Sequence, residues 1–255
     1  MTTHKGTKSP RRAGRSLAAR KTLADAVFSR LAAGNPDPKG ELEYANPYQL
    51  LVAVVLSAQA TDIGVNKATR GLFATVDTPE KMVALGESAL IERIKTIGLF
   101  RNKAKNVIAL SIKLVAEHGG RVPETREELE ALPGVGRKTA NVVLNITFGQ
   151  PTLAVDTHVF RVANRIPLAR GATPLAVELG LLKIIPERFM RNAHHWLILH
   201  GRYVCKARKP ECGKCVIADL CASNPFSPQS GEKQVTDPNS AASAPRAAAR
   251  RRFLA

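Results

Sequence analysis

The chain has 255 residues, 44% of them hydrophobic, and a formal net charge of +17 from 38 Lys and Arg against 21 Asp and Glu. That length can bury a real core in one large or two modest domains, and no run approaches the roughly 18 uninterrupted apolar residues of a membrane span. Residues 1–21 carry seven Lys/Arg and no acid, residues 226–255 carry a net +3, and residues 22–225 keep +7. A body that is basic in its own right attracts a polyanion, and nucleic acid is the commonest one; the plainer alternative is a merely soluble basic protein.

The N-terminal stretch lacks the apolar run of roughly 7–15 residues that marks a secretory signal. It reads as a disordered basic arm over 1–19 that adds non-specific phosphate affinity, with an organellar or nuclear targeting segment as the alternative. Leu23, Val27 and Leu31 share one face of a first helix. Asn46-Pro47 is an N-cap followed by proline at the first helical position, opening an apolar helix from Tyr48 to about Ala58. Thr61-Asp62 and Thr78-Pro79 mark further starts. Thr125-Arg126-Glu127-Glu128 fits a capping box, and Thr173-Pro174 repeats the cap-plus-proline signal. Pro186 ends that segment, and another helix runs through His195-Trp196-Leu197-Ile198-Leu199. The tail from about residue 225, rich in Ser, Pro and Ala, reads as disordered. No run alternates with period two long enough for a sheet, so the predicted architecture is all-α. A faint internal echo links Ile97-Gly98-Leu99-Phe100-Arg101 to Leu132-Pro133-Gly134-Val135-Gly136. Ala104 and Val107 then recur as Ala140 and Val143, thirty-six positions on.

Three motifs carry chemistry. In Leu132-Pro133-Gly134-Val135-Gly136-Arg137-Lys138, proline and two glycines force a tight turn, which presents the free N–H groups of the next helix as an anion site. A DNA phosphate suits that site irrespective of sequence; an ordinary turn between helices is the alternative. Lys138 follows directly and is either one more phosphate contact or a nucleophilic amine. A free lysine has a pKa near 10.4, so fewer than about one in a thousand is neutral near pH 7. Burial and the positive end of a helix both favour the neutral form. Asp156, in Val155-Asp156-Thr157-His158, fits an N-cap with Val159 at N3. It also fits a carboxylate facing Lys138, and one residue can do both. His158, His194, His195 and His200 read as packing or hydrogen-bonding residues.

All four cysteines fall within seventeen residues, as Cys205-x6-Cys212-x2-Cys215-x5-Cys221. Intracellular thiols stay reduced, so a disulfide pair is the weaker reading. Zinc is more often held by two Cys-x2-Cys knuckles, and one is present. Four cysteines also hold a [4Fe–4S] cube. Spacing alone leaves the cube first and zinc second.

In order along the chain, the hairpin, the Val-Asp-Thr-His segment and the cysteine pattern closely resemble the endonuclease III family of iron–sulfur DNA glycosylase/AP lyases. Leu56-Ser57-Ala58-Gln59-Ala60-Thr61-Asp62 and His194-His195-Trp196-Leu197-Ile198-Leu199-His200-Gly201-Arg202 resemble it too, and the match spans about residues 20–224. The resemblance implies a two-domain helix-hairpin-helix glycosylase fold with a cleft. A six-helix barrel would occupy 40–150. A cluster domain would combine 20–39 with 151–224 and hold a [4Fe–4S] cluster on Cys205, Cys212, Cys215 and Cys221. It implies Lys138 as nucleophile, Asp156 as its partner, and Gln59 as the residue that fills the gap left by an everted base. Leu132, Gly134, Val135, Gly136 and Arg137 would grip phosphates, and the basic loop with Lys206, Arg208 and Lys209 would add backbone contacts. Adenine and thymine mismatch glycosylases resemble this chain but depart from lysine at that position, and 8-oxoguanine relatives lack the cysteines.

The function this implies is excision of oxidised pyrimidines from double-stranded DNA and cleavage 3′ to the abasic site through a lysine Schiff base. The protein would act as a monomer, away from membranes, in the cytoplasm at the nucleoid. A non-catalytic DNA-binding module and a monofunctional glycosylase are the competing readings.

Overall fold

A computed structural model describes residues 15–224. The basic arm up to residue 14 and the tail from residue 225 lie outside the described residues. Within them are eleven α-helices and no strand. They are α1 (Leu17–Gly34), α2 (Pro47–Leu56), α3 (Asp62–Phe73), α4 (Pro79–Leu85), α5 (Glu87–Ile94), α6 (Phe100–His118), α7 (Arg126–Glu130), α8 (Arg137–Phe148), α9 (Thr157–Arg165), α10 (Pro174–Leu182) and α11 (Glu187–Tyr203). A short 3₁₀ turn follows at Cys212–Lys214.

Seven starts are fixed by a side-chain oxygen that accepts from a backbone N–H three residues on. The caps are Ser16, Asn46, Thr61, Thr78, Thr125, Asp156 and Thr173, and each satisfies one of the otherwise orphaned donors. Ser16 starts α1 at Leu17, inside the stretch read as a basic arm. α2 stops at Leu56, short of Ala58, because the Ser57 hydroxyl turns back onto the Val54 carbonyl (2.8 Å) and Gln59 enters the left-handed region at φ 54°.

Helices α2 to α8 enclose one buried cluster, built on side chains such as Leu51, Leu56, Leu72, Met82, Leu110, Leu129 and Leu144. Seven helices fall in this segment, where six are expected, because the capped Thr125 turn forms the five-residue α7. A second cluster joins α1, α9, α10 and α11 through Phe28, Val162, Leu181, Trp196 and Leu197, and reaches Ile217 beyond the helices. Phe28, Phe189 and Trp196 pack against one another within it at centroid distances of 5.9–6.3 Å, the two phenylalanines stacked and Trp196 edge-on to Phe189. Each such buried side chain contributes roughly 1.5–3 kcal/mol of transfer free energy. α9 and α11 cross closely: a Cβ at Gly201 would lie 2.9 Å from the His158 Cβ.

The connector between α8 and α9, residues 149–156, lies outside helix and strand, and its Thr152 to Val155 are buried. A buried segment outside helix or sheet must find other partners for its carbonyls. Asn145 Nδ2 donates to the carbonyls of Gln150 (3.1 Å) and Thr152 (3.2 Å). Asn141 Nδ2 donates to that of Leu153 (3.1 Å), and His194 Nδ1 to that of Ala154 (2.9 Å). The Thr152 hydroxyl in turn donates to the Asn141 carbonyl (2.6 Å). Asn141→Leu keeps the branched shape and removes the amide, leaving the Leu153 carbonyl and the Arg126 Nε without this partner. Urea unfolding should show a loss of about 1–3 kcal/mol; an unchanged midpoint would mean the connector does not depend on this clamp.

Candidate active site and cluster loop

A cavity of about 680 Å³ opens between the two clusters. Its walls come from the end of α2 and Gln59, from Lys138, Val142 and Ile146 of α8, from Asp156 to His158 at the start of α9, and from His194, His195 and Arg202 of α11. The loop from Lys39 to Tyr44 closes one side.

The hairpin has the expected form. Gly134 sits at φ 77°, the Val135 N–H donates to the Leu132 carbonyl (3.1 Å), and Gly136 begins α8 with no side-chain cap. Leu132 and Val135 are buried in the first cluster, so only their backbone can reach a phosphate. Lys138 is the second residue of α8, where N–H groups lack helical partners. Its side chain is exposed, whereas the sequence reading looked to burial. Arg137, expected to grip a phosphate, is paired within the protein. Its guanidinium forks onto Glu178 of α10 (2.8 and 3.0 Å), because a carboxylate left only 4% exposed demands a partner. The pair joins α8 to α10 and occupies the group expected at the phosphate.

Asp156 caps α9 by accepting from the Val159 N–H (2.7 Å), which fixes its carboxylate at the cavity wall. Lys138 and Asp156 thus face one space from the starts of consecutive helices. His194 lies behind them. Burial pushes its pKa down to about 4, the adjacent His195 adds to this, and Asp156 opposes it. The neutral ring keeps its Nδ1 proton on the Ala154 carbonyl and leaves Nε2 as an acceptor. His194 is buried and hydrogen-bonded, in keeping with its expected packing or hydrogen-bonding role; its proximity to Asp156 depends on where α11 crosses.

Gln59 is exposed at the cavity rim. A Cβ on Gly98 would lie 4.0 Å from the Gln59 carbonyl, so the turn before α6 adjoins it. Leu99, at the tip of that turn, is 57% exposed with φ 60°. An exposed leucine held in a left-handed conformation beside Gln59 is a further rim residue. Its only sequence signal was the echo of the hairpin.

The four cysteines line a separate pocket with Ile166, His200, Val204 and Ala218. All four thiols border this common space, a donor set that suits an iron–sulfur cluster. Burial raises the Cys215 and Cys221 thiols above the ordinary cysteine pKa; bound iron would hold them as thiolates. Two arginines missed in the sequence secure the loop. Arg161 donates to the carbonyls of Cys205 (3.0 Å) and Gly201 (2.7 Å). Arg165 donates to the carbonyls of Lys206 (2.6 Å) and Ala207 (2.9 Å) and approaches the Cys205 Sγ (3.6 Å). Their four-residue spacing on one face of α9 was the available signal. In the basic loop, Arg208 and Lys209 are exposed, while Lys206 pairs with Glu211 (2.5 Å).

Residues 52–187 match the family of HhH-GPD superfamily base excision DNA repair proteins, and residues 205–221 match the iron-sulfur binding domain of endonuclease III. Endonuclease III of Rickettsia conorii is 60% identical over 199 residues, 78% of this chain and 95% of the relative. That of Escherichia coli K12 is 56% identical over 195 residues, 76% of this chain and 92% of the relative. A solved endonuclease III trapped as a covalent intermediate with DNA superposes with a TM-score of 0.75 at 45% identity, covering 80% of this chain and 96% of that one. A thermostable thymine-DNA glycosylase superposes at 0.71 with 26% identity, covering 81% and 97%. With its hairpin, paired helix starts and four-cysteine loop, this chain belongs to the endonuclease III family of base excision repair DNA glycosylase/AP lyases.

Proposed function

We propose that the protein removes oxidised pyrimidines from double-stranded DNA and nicks the resulting abasic site, with Lys138 as nucleophile and Asp156 as its carboxylate partner. The observation that carries this is the opening of both side chains into one cavity from two successive helix starts. Solved endonuclease III complexes with DNA support the ligand, and the two buried clusters support domains at 40–150 and at 20–39 with 151–224. Bacterial relatives support action in the cytoplasm at the nucleoid, and the protein acts as a monomer. No described helix is long and apolar enough to cross a membrane.

Eversion of the damaged nucleotide costs a few kcal/mol, less when the base is already weakly paired. Gln59 fills the space left behind, and the Leu99 tip enters the stack beside it. Free N–H groups at Gly136 and the start of α8 hold a phosphate. Arg208 and Lys209 add charge contacts farther along the backbone. Docked DNA excludes water from the exposed Lys138. The neutral amine then attacks the anomeric carbon. The new N–C bond forms as the glycosidic bond breaks, and the base leaves with the electron pair and takes up a proton. Asp156, aimed by its cap, stabilises the positive charge that develops on the sugar. The adduct nitrogen loses a proton, its lone pair opens the C1′–O4′ bond while O4′ takes up a proton, and the Schiff base so formed acidifies the proton on the neighbouring C2′. Loss of that proton expels the 3′ phosphate by β-elimination, and hydrolysis then frees the lysine. The iron–sulfur cluster supplies structure: Cys205, Cys212, Cys215 and Cys221 would hold it and so shape the basic loop.

Borohydride should trap wild-type protein covalently on duplex carrying thymine glycol. Lys138→Gln should lower turnover by at least about 10⁴-fold while duplex affinity stays within a few-fold; the absence of any wild-type adduct would sink the bifunctional reading. Replacing a cluster ligand, as in Cys212→Ala, should remove the visible absorption band and lower the melting temperature together. The depressed His194 also sets an acid limit. Its folded pKa lies below the unfolded value near 6.5, so unfolding takes up a proton between about pH 6.5 and 4. Its contribution is complete above that window and falls as pH drops through it. His194→Gln should flatten the decline in denaturant midpoint over this range.

A further inference from the structure

Lys103 lies in the first turn of α6 and is only 5% exposed. Its Nζ is buried and has no hydrogen-bond partner. Burial alone lowers its pKa from the ordinary lysine value, with no carboxylate contributing. A buried ammonium without a counter-charge is destabilising, and none of the steps above uses it.

Its surroundings suggest what it serves. α6 follows Leu99 at its N-cap with no side-chain cap, so the N–H groups of its first turn lack a protein acceptor of that kind. Helical side chains lean toward the N-terminus, which runs the Lys103 stem back along this turn. On one flank, the Gly98 turn adjoins Gln59. On the other, a Cβ at Gly134 of the hairpin would meet the Asn106 Cβ at 2.9 Å, one helical turn after Lys103. The start of α6 therefore sits between two elements already assigned to DNA. Arg101 and Lys105 are exposed around it, and the echo with the hairpin spans the same residues.

We propose that the start of α6 is a second phosphate-binding element, at which Lys103 moves out of its buried position to meet a backbone phosphodiester of the duplex beside the free N–H groups of the turn. The inference rests on the DNA-processing reading above. Lys103 is a binding residue held in reserve, and the unpaired charge in the free protein is satisfied only in the complex.

The test compares wild type with Lys103→Met, using fluorescence anisotropy on an undamaged duplex and on one carrying a stable abasic analogue, over a range of salt. The variant should bind both duplexes roughly tenfold more weakly, because a phosphate contact carries no lesion information. The slope of log affinity against log salt should shrink by about 0.9. Its melting temperature should equal or exceed that of wild type, since an unpaired buried charge has been removed. Lys103→Gln should reproduce the binding loss. Unchanged affinity and slope would overturn the proposal. So would a lower melting temperature accompanying the loss, because the amine would then be serving the free fold. Failure of wild type to nick an abasic duplex would instead defeat the DNA-processing reading; nicking by wild type with unaltered binding by Lys103→Met would defeat this inference alone.

Discussion

The active-site geometry depends on how the chain travels from α8 to α9. Lys138 lies in the first turn of one helix, Asp156 caps the next, and between them Thr152 to Val155 are buried outside helix or sheet. Such buried backbone is unstable unless side chains take its polar groups. Asn141 and Asn145 do so from α8, and His194 does so from α11. Both asparagines stand on the helix that carries Lys138. The clamp therefore fixes the carboxylate relative to the amine as directly as it satisfies the carbonyls. His194 ties the same connector to the other cluster.

Charge is divided by the same geometry. Several arginines join elements of the fold, among them Arg137, which was expected at a phosphate. Arg137 links α8 to the buried Glu178 of α10. Arg202 of α11 reaches both Glu41 in the closing loop and Asp62 at the start of α3. Arg161 and Arg165 hold the cysteine loop through its carbonyls. Guanidinium suits this use, since its planar fork satisfies several acceptors at once. Lys138, Arg208 and Lys209 are left exposed toward solvent, where positive charge can act on a polyanion at a distance.

Three departures from local rules lie near the cavity mouth, while Pro167 and Lys209 take positive φ elsewhere. Gln59 and Leu99 are non-glycine residues in the left-handed region, a conformation costing of order 1–3 kcal/mol. Lys103, beneath Leu99, has a buried amine without a partner. Such conflicts between local preference and global fold are expected where function sets the terms. Here they fall in the turn before α6 and beside the cavity mouth, where a duplex would be gripped and its stack opened.

Helix starts were legible in the sequence because a cap is a local bargain between one oxygen and an N–H three residues on; Asn46, Thr61, Thr78, Thr125, Asp156 and Thr173 all held. The hairpin and the four-cysteine loop were legible for the same reason, since their chemistry lies within short stretches. The helical periodicity fixed the all-α class without fixing which helices share a core. What required the tertiary structure was every choice of distant partner. Arg137 could not be known to prefer Glu178 forty-one positions away, nor His194 to find the Ala154 carbonyl, nor Leu99 to stand beside Gln59. The sequence by itself determined which groups are present and how each helix begins. Only the fold decided which of them meet, because burial and competition among alternative partners act through space and leave no local pattern to read.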